Sequence, residues 1–272
     1  MTRAPATAKL NLALVVGLPR LDGRHELTTV LQRLDLSDRV AIRPAPRLRV
    51  LGFADDTLVG RALERLGEAS GVPPRWEARL TKRIPVAAGL GGGSSDAATA
   101  LRLANATLEE PLEPDRLRGL AAELGSDAPF FLTQGPQLGE GDGTVLTPLD
   151  LPQDYWVLLV RPTGVDKAST ADVYGAFDGC DGGKGYRNRR AALRRALKEI
   201  RRPRDLARLP PNDLASSPLA DDLVAEGAFR ADVTGAGPLV YGLFQHLETA
   251  RAARSALKSR GRVWLTVPTW YG

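Results

Sequence analysis

Residues 8–16 carry apolar side chains at every second position around Lys9 and Asn11. A period of two predicts a strand with Lys9 and Asn11 on one face. Pro19 and the Asp22-Gly23 pair mark a turn, and residues 27–44 are expected to be extended, bounded by Pro44. The period then changes. Residues 56–70 space their apolar positions as a helix does, with Asp56 as N-cap. Residues 75–87 alternate again as a strand that runs into a glycine-rich loop. Residues 94–108 and 113–125 follow as helices, the first capped by Ser or Asp and the second ending at Gly125.

Residues 126–149 are dense in glycine and predict strands and turns, and residues 155–162 form a short apolar strand. Beyond them come a basic helical stretch, the segments 221–229 and 231–244, a helix over 246–261 and a last strand over 262–268. This β/α alternation suits a split βαβ layer. A proline-bearing polar bridge near residue 150 divides the chain into 1–150 and 151–272.

Charge changes the picture in one place. The net charge is +5, but residues 184–208 hold eleven Lys and Arg against Glu199 and Asp205. The basicity therefore belongs to one segment, expected to be a solvated helix face over a buried stripe of Leu193, Leu197 and Ile200. Apart from Tyr186 at its start, no aromatic residue interleaves with these arginines as single-strand nucleic-acid binding requires, so no specific nucleic-acid partner is expected. No apolar run reaches the length of a membrane span, and no membrane partner is expected. Two histidines and one cysteine leave too few ligands for a structural zinc site. The single Cys180 cannot form an internal disulfide, which fits a cytoplasmic protein.

Candidate chemistry centres on the stretch PVAAGLGGGSSDAAT, Pro85 to Thr99. It lacks the lysine of a P-loop, and the G-x-G-x-x-G fingerprint counted from Gly89 would end on Ser94. A strand that ends in four glycines and two hydroxyls before a helix still favours an anion, through free amides and the helix dipole. The loop is expected to hold a phosphate.

Three stretches in order, residues 8–14, residues 85–99 and residues 234–244, resemble the signatures of the superfamily of galactokinase, homoserine kinase, mevalonate kinase and phosphomevalonate kinase, the GHMP kinases. The resemblance covers nearly the whole chain. The segments DGRHEL and GSDAPFFL resemble the branch whose acceptor is 4-diphosphocytidyl-2-C-methyl-D-erythritol, phosphorylated on its 2-hydroxyl in the non-mevalonate isoprenoid route. The resemblance implies an α+β fold in two domains. The first is ribosomal-protein-like with a left-handed βαβ unit, the second a ferredoxin-like split βαβ domain, and the active site lies in the cleft between them. Alternatives are a homoserine or mevalonate type of kinase and a basic nucleic-acid-binding protein.

The resemblance also implies roles. Asp127 matches the catalytic aspartate and Lys9 the lysine beside it. Pro85, Val86, Ala87, Ala88, Gly89, Leu90, Gly91, Gly92, Gly93, Ser94 and Ser95 match the ATP loop, and Lys82 with Ile84 matches the adenine pocket. Asn11, His25, Thr170 and Tyr174 match acceptor-binding positions. Arg24 stands where the family has a tyrosine, and a guanidinium plane can also stack on a base. Ala236 and Pro238 stand where relatives often carry serines. ATP is expected with Mg2+, for which no protein ligand is assigned.

Overall fold

The computed structural model describes residues 1–53, 58–165 and 168–270. The alternation around Lys9 becomes β1 (Thr2–Pro19), which pairs antiparallel with β2 (His25–Pro44) in one long hairpin. Lys9 stands directly opposite Arg33 in this register. The other edge of β2 is used twice. Its C-terminal part pairs with β4 (Trp76–Thr81), and its N-terminal part pairs with β5 (Gln137–Gly141). On that side the six-stranded sheet ends in β3 (Arg49–Leu51), beyond β4, and β6 (Val145–Pro148), beyond β5, while β1 lies along the opposite side of β2. β3 and β4 are parallel, with α1 (Leu58–Ser70) between them in sequence.

A second, wholly antiparallel sheet has the order β10–β7–β9–β8. Its strands are β7 (Trp156–Pro162), β8 (Arg230–Val233), β9 (Val240–Phe244) and β10 (Gly261–Thr266). Helices α4 (Thr170–Gly179), α5 (Tyr186–Glu199) and α6 (Pro218–Ala225) precede β8, and α7 (Leu247–Ala256) joins β9 to β10. With β7 between β9 and β10, this is the split βαβ arrangement expected for the second half.

Burial explains why the two sheets are held together. α1, α2 (Gly92–Asn105) and α3 (Pro114–Leu124) cover the first sheet through Leu63, Leu66, Leu101 and Leu120. α6 and α7 cover the second through Leu223, Ala250 and Ala253. A third cluster joins the halves, packing Leu10 and Leu12 of β1 with Leu159, Tyr241 and Leu193. The wall of the site is thus part of a continuous core.

Two expectations change. The helix after the glycine loop begins at Gly92, before the serines, and its N-cap is Gly91 at φ 68°, with no side chain capping it. A positive φ is what a glycine cap supplies and Ser or Asp supplies less readily. The basic helix buries Leu193 and Ile200 and half-buries Leu197, yet its arginines are not simply solvated. Arg190 and Arg194 both donate to Glu140 on β5. Arg189 donates to Asp213 and to the carbonyls of Val16 and Gly182. The proposed cap Asp56 lies outside the described residues.

Candidate active site

β1 presents Lys9 and Asn11 on one face, as the alternation requires, and Lys9 Nζ donates to Asn11 Oδ1 at 2.7 Å. Asn11 is itself fixed. Its Nδ2 donates to Thr29 Oγ1 at 2.8 Å, and its backbone N–H donates to Thr234 Oγ1 at 3.1 Å. Lys9 Nζ lies 3.3 Å from Asp127 Oδ2. The lysine side chain is 4% exposed and the aspartate 40% exposed, so a buried ammonium supports a carboxylate open to the cleft.

Asp127 sits in a tight turn in which Ala128 N–H donates to Gly125 O and Phe131 N–H to Ala128 O. The turn leads into a 3-10 segment, Pro129–Leu132. Facing it, the glycine loop is stitched to β1 by the Lys9 N–H, which donates to Leu90 O at 3.0 Å. Ala88 and Leu90 bury their side chains and anchor the loop, while Val86 and Ala87 stay exposed. Gly89 permits a close approach from the second half, since a Cβ there would meet Thr234 O at 2.5 Å.

The first intrahelical bond of α2 runs from Ser95 N–H to Gly91 O at 2.9 Å. The amides of Gly92, Gly93 and Ser94 precede it and form the helix N-terminus, where an anion is favoured. Lys9, Asn11, Arg24, His25, Lys82, Ile84, Asp127, Thr170, Tyr174 and the loop from Pro85 to Ser94 all line one cleft of about 970 Å³. Ser95 does not. Its N–H closes the helix and its hydroxyl is buried away from the cleft, so the expected phosphate contact from Ser95 is withdrawn.

Lys82 lines the cleft but does not offer its charge there. Its Nζ bridges Asp38 Oδ2 and Asp96 Oδ2, each at 2.5 Å, and both carboxylates are fully buried. Burial works against the ammonium, but the hydrogen bonds to Asp38 and Asp96 outweigh it and hold Lys82 above the usual lysine range. Asp38 also accepts from the N–H groups of Arg83 and Ile84, so this cluster fixes the base of the loop. Lys82→Met leaves two buried carboxylates without their cation. It is expected to destabilise the fold by ~3–5 kcal/mol, checked by urea denaturation.

The far wall of the cleft belongs to α4. His25 Nε2 lies 2.9 Å from Asp178 Oδ1, and the His25 ring stacks at 4.5 Å on Tyr174. Burial, with the nearby Asp127 charge, pushes the Tyr174 phenol up to about 12, so it stays neutral in working conditions. Arg24 is held by an ion pair with Asp142. Thr170 opens α4 at the same wall.

Sequence reasoning missed Thr29, Thr234, Asp142 and Asp178. Thr234 stood inside a quoted signature, and its hydroxyl is the contact that locks Asn11 despite Ala236 and Pro238. The other three are single polar residues with no motif to single them out.

Among the described residues no group of three or more His, Cys, Asp or Glu could hold a metal ion.

Comparison with known proteins agrees with this geometry. The family profile GHMP kinases N terminal domain matches residues 57–135, and GHMP kinases C terminal matches residues 186–263. A 4-diphosphocytidyl-2-C-methyl-D-erythritol kinase of Anaeromyxobacter sp. (strain Fw109-5) is 42% identical over 92% of this chain and 85% of its own. That of Gloeobacter violaceus is 37% identical over 94% and 89%. A crystal structure of 4-(cytidine 5'-diphospho)-2C-methyl-D-erythritol kinase superposes with a TM-score of 0.79 at 30% identity, covering 98% of this chain and 99% of that one. A mevalonate kinase shares the fold at a TM-score of 0.77 and 15% identity, over 98% and 99%. By both its sequence and its fold, the chain belongs to the GHMP kinases and, among them, to the 4-diphosphocytidyl-2-C-methyl-D-erythritol kinase family.

Proposed function

We infer that the cleft transfers the γ-phosphoryl group of ATP to the 2-hydroxyl of 4-diphosphocytidyl-2-C-methyl-D-erythritol. The observation that carries the reading is the Lys9–Asp127 pair, 3.3 Å apart, in one cleft with the free amides of the α2 N-terminus. In this reading the loop from Pro85 to Ser94 and the α2 amides hold the ATP phosphates. Asp127 accepts the proton of the acceptor hydroxyl as its oxygen bonds to the γ-phosphorus and ADP departs. Lys9 stabilises the negative charge on that oxygen, and Asn11 keeps the ammonium in place.

The acceptor lies along His25, Tyr174, Thr170 and Arg24. His25 gives a directional contact to the base edge, while Tyr174 and the Arg24 guanidinium offer flat surfaces to its ring. Mg2+ fits as an ion that arrives on the nucleotide, because such an ion keeps several waters and needs few protein oxygens. Ser94, which lines the cleft on the first turn of α2, would be the hydroxyl to hold it, and the ion would neutralise phosphate charge.

No helix among the described residues is long and apolar enough to cross a membrane, and we assign the reaction to the cytoplasm with small molecules as its partners. We divide the chain at residue 150 into an ATP-loop domain, 1–150, and a second domain, 151–272. The test is a phosphoryl-transfer assay with ATP, Mg2+ and the cytidine diphosphate alcohol, read by phosphorus NMR. A new monophosphate resonance on the 2-oxygen, matched by ADP release, is the expected result. Consumption of mevalonate or homoserine but not of this alcohol would reject the reading.

A further inference from the structure

Among the described residues Arg33 is the largest fully buried side chain, 2% exposed, and none of their carboxylates pairs with it. Its place is unexpected. Arg33 stands opposite Lys9 across the β1–β2 hairpin, and directly opposed residues share a face of the sheet. Like charges in that position weaken a hairpin, and a buried cation without an anion is unfavourable. Burial brings its guanidinium down to about 10, with Arg102 adding to the effect. An apolar side chain would fill the space at less expense to folding, so stability does not account for an arginine here.

Its contacts do. Nη2 donates to Phe130 O at 2.8 Å and Thr133 O at 2.7 Å, and Nη1 donates to Thr7 Oγ1 at 2.9 Å. These bonds clamp the 3-10 segment that begins two residues after Asp127. The guanidinium also stacks on Phe130 and Phe131, 4.9 and 5.4 Å from their ring centroids. Phe131 in turn closes on the glycine loop at Gly91, beside the stem of Lys9. A Cβ built at Gly91 would stand 3.0 Å from Phe131 Cζ and 3.0 Å from Lys9 Cγ. One buried group thus clamps the segment after Asp127 and, through Phe131, backs the cap of α2 where Lys9 also closes in.

We propose that Arg33 is a positioning residue for phosphoryl transfer, holding Asp127 and Lys9 in register with the ATP loop. The proposal rests on the reaction inferred above. Arg33 touches neither substrate, so its loss acts on turnover and spares binding.

The test is steady-state kinetics of Arg33→Met, Arg33→Lys and Phe131→Leu, with kcat normalised to sites that bind a non-hydrolysable ATP analogue. Misplacement of reacting groups by a fraction of an ångström predicts a kcat ~10- to 100-fold lower in Arg33→Met, with both KM values within about threefold of the parent. Arg33→Lys keeps the charge but loses the fork that spans two carbonyls, and is expected to recover only part of kcat. Phe131→Leu keeps the backbone clamp but removes the ring edge that closes on Gly91, and gives a smaller loss of the same kind. It carries the test alone if Arg33→Met does not fold. A merely structural role would lower the number of competent sites and leave kcat per site unchanged. That result, or a KM for ATP rising in step with the loss of kcat, overturns the proposal. A parent without turnover overturns the reaction and this role together, whereas an active parent with indifferent variants overturns the role of Arg33 alone.

Discussion

Asp127→Asn is expected to lower kcat by ~10²- to 10⁴-fold, the range for losing a general base, and to leave ATP affinity within a few-fold of the parent. The amide has the shape of the carboxylate and can still accept a hydrogen bond, but it cannot take up the hydroxyl proton. The separation of effects follows from the geometry. Asp127 faces the cleft from a turn, and in the proposed reaction the phosphates lie on amides at the start of α2, contributed by a different segment. Lys9 loses its carboxylate but keeps the 2.7 Å bond to Asn11, so its ammonium remains in position. Single-turnover kinetics measure the chemical step, and calorimetric titration with a non-hydrolysable ATP analogue measures binding. Turnover within threefold of the parent would reject Asp127 as the base.

The parts of this site that were legible in the sequence are those encoded by short-range pattern. The alternation around Lys9 and Asn11 places both on one face of β1, and the hydrogen bond between them follows directly. The glycine loop is a strand-to-helix transition with exposed amides, as its composition implies. Details that depend on where a helix begins were less secure. The composition put the start of α2 at the serines, whereas the positive φ of Gly91 starts the helix earlier, and Ser95, which the resemblance placed in the ATP loop, is buried.

Contacts between distant segments were not legible. Thr234 meets Asn11 only because the β8–β9 hairpin reaches over the loop, and Asp178 meets His25 only because α4 forms the far wall. The same holds for Lys82. The resemblance put it at the adenine pocket, and nothing in its neighbourhood announced the two buried carboxylates from β2 and α2 that hold its charge. Periodicity assigns a side chain to a face. It does not say which charge waits on the opposite element. The fold itself was more accessible, because the strand and helix periods are long and the order of β7 to β10 follows from the β/α alternation.

The second large effect is expected at Gly91. Gly91→Val should raise the Kd for ATP at least ~tenfold, because it combines two independent penalties. The backbone at this position has φ 68°, where a non-glycine residue costs ~1–2 kcal/mol and a β-branched one more. The new Cβ would also stand 3.0 Å from Lys9 Cγ and Phe131 Cζ. Neither neighbour yields easily. Lys9 is tied to Asn11 and Asp127, and Phe131 is pinned under Arg33. The strain is therefore relieved by the loop, which moves the α2 amides from the phosphates. Gly91→Ala carries the same backbone penalty without the branched methyls and should lose less. Gly93→Ala separates the argument from a general intolerance of side chains in the loop. Gly93 is not at positive φ, and among the described residues its Cβ would meet Leu58 Cδ1 alone, at 3.2 Å, the end of a flexible side chain. Near-parental affinity is expected there. If Gly91→Val binds ATP as tightly as the parent, the phosphates do not sit at the cap of α2. If Gly93→Ala loses as much as Gly91→Val, the cause is crowding by the ligand and not the left-handed backbone of Gly91.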